Sequence, residues 1–236
     1  MRTISVMNQP KKNYQKELEK IIASLETPKK VFLHSCCAPC SSYCMEYLRQ
    51  YFDVTVFYYN PNIMNEEEYR KRVAEQRRLI ENYNQACEGR VNAGTDRDGV
   101  KVDVSAQEMI TLRKISFVEG SYDVDRYLET IKGLEDCKEG GSRCGRCFEL
   151  RLRETARVAK EMGMDYFTTT LTISPLKNAG LINQLGNQIG EEMGVAFLPS
   201  DFKKNNGYLR SIELSKEYNL YRQDYCGCDF SKRKDI

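Results

Sequence analysis

A parallel α/β sheet with helices on both faces is the fold that this sequence predicts, and three features carry the prediction. Five short apolar segments, each four to six residues long, are separated by longer stretches with helical periodicity. The segments read as continuous apolar runs rather than alternating ones, the pattern of strands buried on both faces. Hydrophobic residues make up 41% of the chain, enough to fill such a core. No internal repeat and no Pro- or Ser-rich linker interrupts the 236 residues. Residues 1–236 are therefore read as a single α/β domain.

Taken in order, Tyr14 to Leu25 has an amphipathic helical pattern closed by Thr27-Pro28. Val31 to His34 is the first strand. Ser41 or Ser42 can cap the next helix, on which Cys44, Tyr47, Leu48 and Tyr51 form one apolar stripe. Val54 to Tyr59 is the second strand, and Asn60-Pro61-Asn62 turns the chain. Asn65 followed by Glu68 opens a long helix running to about Tyr83. Ala86 to Gly99 is rich in Gly, Asn and Asp and reads as an exposed loop. With Lys101 to Arg113, which suits a short helix, it makes 86–113 an irregular insertion. Ile115 to Glu119 is the third strand, and Asp123 caps a helix over Val124 to Leu134. A helix follows Cys147 to Met162, with Leu152, Ala156, Ala159 and Met162 on one face and Gly163 as its cap. Tyr166 to Leu171 is the fourth strand, and Ser174-Pro175 starts a helix ending near Gly194. Val195 to Leu198 is the fifth strand, Leu209 to Tyr218 the last helix, and 220–236 a polar, cysteine-bearing tail.

Composition narrows the function classes. The formal net charge is +2, so any nucleic-acid surface must come from local clustering. No run of about eighteen apolar residues exists to span a membrane. Met1 to Lys12 is polar and lacks the apolar core of a secretory signal, which points to the reducing cytoplasm. Ten cysteines in a cytoplasmic chain read first as metal or redox sites rather than disulfides. With His34 the single histidine, any metal must be held mainly by sulfur.

In open α/β folds, sites form beyond the carboxyl ends of the strands. The unusual turns of this chain all follow strands: Ser35 to Cys40, Asn60 to Asn62, Glu119 to Asp123, Thr172 to Pro175, and Pro199 to Phe202. Three cysteine groups stand out, namely Cys36, Cys37 and Cys40 in CCAPC, Cys144 and Cys147 in CGRC, and Cys226 and Cys228 in CGC. CxxC lets two thiolates reach one metal or cluster from a single turn, and a helix N-terminus favours their charge. Adjacent Cys36 and Cys37 are expected to point in different directions, which suits a multi-iron cluster or neighbouring metals better than one tetrahedral ion. The chemistry predicted is a Cys-ligated iron–sulfur cluster with either a second metal or a redox thiol pair. A structural zinc site, needing only four sulfurs, is the plainer alternative. Cys44 belongs to the apolar stripe of its helix, Cys87 and Cys137 have no evident partners, and His34 reads as a satisfied core imidazole.

With these motifs in place, the chain resembles the cobalamin-independent epoxyqueuosine reductases, called QueH, from about Val31 to Ser231. The carriers are FLHSCCAPC, FYYNPNI, EGSYD, RCGRCFELRL, TLTISPLKN, FLPSDFKK and LYRQDYCGCDFS, in matching order and spacing. The segment from Ala86 to Arg113 stands outside the likeness, and Cys40 occupies a position where some members carry Asp. The resemblance implies a Rossmann-like sheet of the adenine-nucleotide-hydrolase type, a [4Fe-4S] cluster, and a neighbouring mononuclear iron. Carried over by motif, Cys36, Cys37, Cys144 and Cys147 are the simplest cluster quartet. Cys226 and Cys228 are then a catalytic redox pair or ligands to the second metal, with Cys40.

The implied reaction turns an epoxide into an alkene, consuming two electrons and two protons and releasing water. No nicotinamide or flavin fingerprint is present, and the turn after the first strand lacks phosphate-cradling glycines. Electrons would come from a ferredoxin- or flavodoxin-like donor. Asp201 and Asp123 are candidates for proton delivery or for binding the substrate's hydroxyls; each could instead be a helix cap or turn former, and capping is the favoured role for Asp123. The implied substrate is tRNA carrying epoxyqueuosine in the anticodon. Its backbone would meet Arg143, Arg146, Arg151 and Arg153, or Lys203, Lys204, Arg210, Arg222, Lys232, Arg233 and Lys234. Tyr58, Tyr59, Tyr122 and Tyr225 could stack on a splayed base. The rival readings are an iron–sulfur tRNA sulfur transferase, which would need an SGGxDS-like loop in place of HSCCAPCSS, and a zinc-stabilised RNA-binding module without catalysis.

Overall fold

The computed structural model describes residues 12–91 and 112–232. Its centre is a five-stranded sheet, made of β1 (Lys29–His34), β2 (Phe52–Tyr58), β3 (Ser116–Glu119), β4 (Tyr166–Thr169) and β5 (Ala196–Phe197), in the order β3-β2-β1-β4-β5. Every pairing is parallel. The chain builds outward from β1 on one side, then returns to build on the other. The switch point therefore falls between the carboxyl ends of β1 and β4, where the crossovers diverge and leave a crevice.

Successive β1 side chains point to opposite faces, and both faces are covered. Val31 and Leu33 join a core with Leu18 of α1 (Tyr14–Ala23), Cys44 and Leu48 of α2 (Ala38–Leu48), and Leu79 and Ile80 of α3 (Glu66–Val91). Phe32 points the other way. It stacks on Phe57 at 4.9 Å and meets Leu152 and Ala156 of α5 (Ser142–Glu161) and Ile182 and Ile189 of α6 (Ala179–Met193). Two further helices complete the description, α4 (Val124–Ile131) and α7 (Gly207–Glu217). Among the described residues no helix is long and apolar enough to cross a membrane.

Several boundaries differ from the sequence reading, each for a local reason. Helix α2 begins at Ala38 with Cys37 as its N-cap, not at Ser41 or Ser42. Pro39 is pre-set for a first turn, and the two serine hydroxyls donate back to the carbonyls of Ala38 and Pro39. The shift brings Cys40 into the first helical turn. Strand β4 stops at Thr169 because its hydroxyl accepts from Leu171 N and bends the chain into a short 3-10 turn, Thr170–Ile173. Helix α6 then starts at Ala179, capped by the Asn178 side chain, rather than at Ser174-Pro175. Helix α3 runs to Val91, through the start of the expected irregular loop. Gln85, Ala86, Glu88 and Arg90 are adequate helix formers, and the one glycine there costs only about 1 kcal/mol. The short helix expected within Lys101 to Arg113 lies almost wholly outside the described residues. Met162 caps the end of α5 and is exposed rather than part of its buried face.

Candidate metal centre

CCAPC leaves β1 at the switch point. Ser35 N donates to Phe57 O and Cys36 N to Thr170 Oγ1, so the turn is tied to the strands on both sides. Beneath it, Gln76 Oε1 accepts from the hydroxyls of Ser35 and Ser41. Asn60 donates to Ser35 O. So held, the sulfurs of Cys36, Cys37 and Cys40 lie within 4.8 Å of one another. Cys36 and Cys37 do not diverge as the sequence suggested: their Sγ atoms are 3.8 Å apart. The extended backbone of Cys37 (φ −174°) feeds straight into the helix and lets both thiols turn to one side. Two ligands on one tetrahedral ion with bonds of about 2.3 Å stand about 3.8 Å apart. The triad thus has single-ion spacing. Hydrogen bonds from Cys37 and Cys40 hold the Cys36 thiol well below the ordinary range, whereas those two thiols are held up first by their hydrogen bonds to Cys36 and then by burial and its charge.

A second group forms at the start of α5. Cys144 and Cys147, one turn apart, line an enclosed cavity with Cys226 and Cys228 of the tail. Burial pushes the Cys144 thiol up, and the Cys147 thiol to about 12. Among the described residues only the CCAPC triad is tight enough for one ion. The ligands of a multi-iron cluster stand further apart than those of one ion, so four cysteines around one cavity suit a cluster. Cys226 faces both groups: it also lines a pocket of about 210 Å³ with Cys40, Lys177, Tyr208, Asp224 and Tyr225.

The tail reaches this position because α3 grips it. Tyr221 N donates to Glu75, and the Tyr221 hydroxyl to Glu68. Arg72, fully buried, pairs with Glu68 at 2.6 Å and donates to the carbonyls of Cys226 and Tyr225. Asn62 adds a donor to Cys226 O, and Met64 N binds Gly227 O. The Asn60-Pro61-Asn62 turn therefore serves both cysteine loops.

Buried charge shows what kind of group the site fits. Arg151 is only 1% exposed and has no carboxylate partner among the described residues. Its Nε donates to Cys147 O and one Nη to Asn60, leaving the other Nη buried without a partner at the wall of the Cys144 cavity. Burial opposes its charge, but Cys147, Cys226 and Cys36 offset this and hold its pKa up. Lys177 is half-buried and behaves likewise: partial burial opposes its charge, and Cys226, Cys36 and Cys40 more than compensate. An unpaired buried cation is costly. Thiolates carrying an anionic metal group would satisfy both cations, so the donor set fits such a group. His34 is not part of it. Burial and nearby Arg151 lower its pKa to about 3, and its ring nitrogens engage Thr169 Oγ1 and Tyr59 O, as the sequence reading expected of a core imidazole.

A family model described as epoxyqueuosine reductase QueH matches residues 31–96 and 97–234. Curated relatives bear the same description. One from Staphylococcus epidermidis is 40% identical over 98% of this chain and 89% of the relative. Others are from Streptococcus pyogenes serotype M1, at 39% over 86% of this chain and 70% of the relative, and Thermotoga maritima, at 33% over 85% and 89%. The chain belongs to the QueH family of epoxyqueuosine reductases. It is thereby an oxidoreductase. The family match also runs through the segment from Ala86 to Arg113, which the sequence reading set aside, with one break between residues 96 and 97.

Several residues proposed for RNA contact are placed otherwise in this QueH-family chain. Arg143 and Arg151 are buried, and Arg143 donates to the carbonyls of Glu135, Cys137 and Phe230. Arg146, Arg153 and Arg210 are exposed in part but already paired with glutamates. Tyr58 and Tyr59 are fully buried and cannot stack on a base. Tyr122 packs on Tyr69, while Tyr225 borders the pocket with Cys40 and Cys226. Arg233 and Lys234 lie outside the described residues. Asp123 caps α4 by accepting from Arg126 N. Asp201 pairs with Lys203 at 2.8 Å and lines a wider groove of about 930 Å³ with Lys177 and Lys204, not the pocket of Cys40 and Cys226. Cys44 is core, its thiol donating to Cys40 O.

Lys177, Glu139, Asp224 and the inward role of Arg151 were missed. Lys177 was detectable, since it lies on the turn after strand four at the site edge. Arg151 stands four residues after Cys147, on the same helix face. Glu139 and Asp224 carry no local signal; folding alone brings them to the pocket.

Proposed function

We propose that this chain reduces the epoxide of epoxyqueuosine, carried at the wobble position of tRNA, to the alkene of queuosine. Family membership names the reaction. The observation that carries the site is the convergence of CCAPC, CGRC and CGC on buried Arg151 and half-buried Lys177, neither of which has a carboxylate partner among the described residues. Sulfur spacing favours a division different from the motif-based one. In it, Cys144, Cys147, Cys226 and Cys228 hold a [4Fe-4S] cluster, and Cys36, Cys37 and Cys40 hold a mononuclear iron. When bound, the cluster supplies electrons singly and the ion acts as a Lewis acid on the epoxide oxygen.

The chain's own residues supply the rest. Lys177 holds a proton on Nζ between the pocket and the groove, suited to the departing oxygen. Asp224 and Glu139 border the same pocket, and Asp201, salt-bridged to Lys203, can carry protons in from the groove. Tyr208 and Tyr225 offer aromatic edges to the base, and exposed Leu176 and Pro175 an apolar rim. Electrons arrive singly from a ferredoxin- or flavodoxin-like protein. The free thiols of the described cysteines suit the reducing cytoplasm.

Two measurements test this reading. Digested tRNA from a strain lacking the gene should contain epoxyqueuosine in place of queuosine. Full queuosine with no precursor, in a strain without another reductase, refutes the activity. Protein purified without oxygen should hold four or more irons per chain; one zinc and no iron would favour the non-catalytic module.

The groove beside the pocket suggests how the RNA backbone lies. Lys204 is exposed there, without an ion pair among the described residues, and next in sequence to Lys203. Lys204→Glu should weaken tRNA binding and lower the salt slope by about one, leaving turnover at saturating tRNA unchanged. Unaltered affinity at low salt would place the backbone elsewhere.

A further inference from the structure

Two side-chain hydroxyls line the cavity shared by CGRC and CGC, and the reaction uses neither: Ser231 donates to the carbonyl of Cys228, whereas Tyr127 donates to a sulfur. Tyr127 lies on α4, a helix fixed at its start by the Asp123 cap. Its ring is 1% exposed and packs with Ile131, Leu150 and Met64 beside Cys147 and Cys228. Its hydroxyl donates to Cys228 Sγ at 2.9 Å and has no other hydrogen-bond partner among the described residues. The four cavity thiols differ in this respect. Cys144 Sγ receives a backbone N–H from Gly140 at 3.2 Å, fixed by the fold. Cys228 Sγ receives its hydrogen bond from a side chain that one substitution can remove.

A thiolate ligand carries part of the charge of its cluster, and that charge grows by one electron on reduction. A hydrogen bond donated to the sulfur therefore stabilises the reduced state more than the oxidised state. The bond raises the midpoint potential. Low dielectric in a buried cavity enlarges the effect.

We propose that the Tyr127 hydroxyl sets the reduction potential of the iron–sulfur cluster through its hydrogen bond to the Cys228 sulfur. Tyr127 touches neither substrate nor the reacting atoms, so its role is tuning through a ligand. No atom is transferred; the one-electron couple of the cluster moves along the potential scale. The inference rests on the reading that Cys228 is a cluster ligand.

Tyr127→Phe removes one oxygen and keeps the ring that fills the cavity wall. Redox titration of the cluster, followed by its visible absorption and the paramagnetic signal of its reduced state, should give a midpoint more negative than in the unaltered protein. Iron per chain should be unchanged. An equal midpoint at full iron content overturns the proposal. Loss of iron from Tyr127→Phe overturns it too, because the hydroxyl would then be holding the site together rather than tuning it. Cluster-free protein without the substitution would refute the cluster reading itself, and this inference with it. A shifted midpoint with no epoxide reduction in either protein would retain the tuning role and reject only the assigned reaction.

Discussion

Cys144→Ala is expected to give colourless protein, low in iron and without epoxide reduction, whereas Cys36→Ala and Cys40→Ala keep the brown chromophore and lose activity. The contrast follows from the two sulfur groupings. Cys144 belongs to the cavity set, which forms no single-ion group among the described residues, and losing one of four ligands would open an iron to solvent. Cys36 and Cys40 belong to the compact triad next to the pocket. Activity should fall by more than about 100-fold in each, since outer partners of a metal site alone account for 10–100-fold. Iron content and visible absorption of the anaerobic proteins separate the divisions. If Cys36→Ala loses the cluster along with Cys144→Ala, the motif-based quartet of Cys36, Cys37, Cys144 and Cys147 is the correct one. Retention of a full cluster in Cys144→Ala rejects both.

The sheet was legible because strands buried on both faces must be apolar throughout, and Val31 to His34 and Val54 to Tyr59 could hardly be anything else. Parallel pairing then put every unusual turn at one edge, so the site's location followed from the fold class. Less legible was the direction of individual side chains. Arg143 and Arg151 look on paper like an RNA-facing patch, yet helical periodicity turns both inward while Arg146 and Arg153 stay outside. The sequence records their charge but not that the thiols opposite create a demand for it. Tyr58 and Tyr59 misled in another way. At a strand end aromatic rings are as apt to fill the core as to meet a base, and here both are enclosed. The spacing of Cys36 and Cys37 was likewise invisible, because it depends on where α2 begins, and Pro39 rather than a serine decides that.

Gly227→Ala should damage the site nearly as much as losing a cysteine, though it removes no ligand. Gly227 adopts φ +103°, a conformation that L side chains rarely take. A Cβ there would stand 2.6 Å from Ile63 Cγ1 and 3.4 Å from Arg72 Nη1. Strain of this kind costs about 1–3 kcal/mol, or roughly 2–4 °C of Tm for each kcal/mol in a chain this size. The chain can relieve it only by moving CGC away from Ile63, and that withdraws Cys226 and Cys228 from the cavity. It also loosens the carbonyl of Cys226 from Arg72 and Asn62. Iron per chain should therefore drop by a larger fraction than thermal stability. Adding Ile63→Ala clears the clash but leaves the backbone conformation strained, so iron should recover only in part. Wild-type iron and activity in Gly227→Ala alone would mean that the tail can bind without its grip on α3, and that the close approach of Gly227 to Ile63 is incidental to the metal centre.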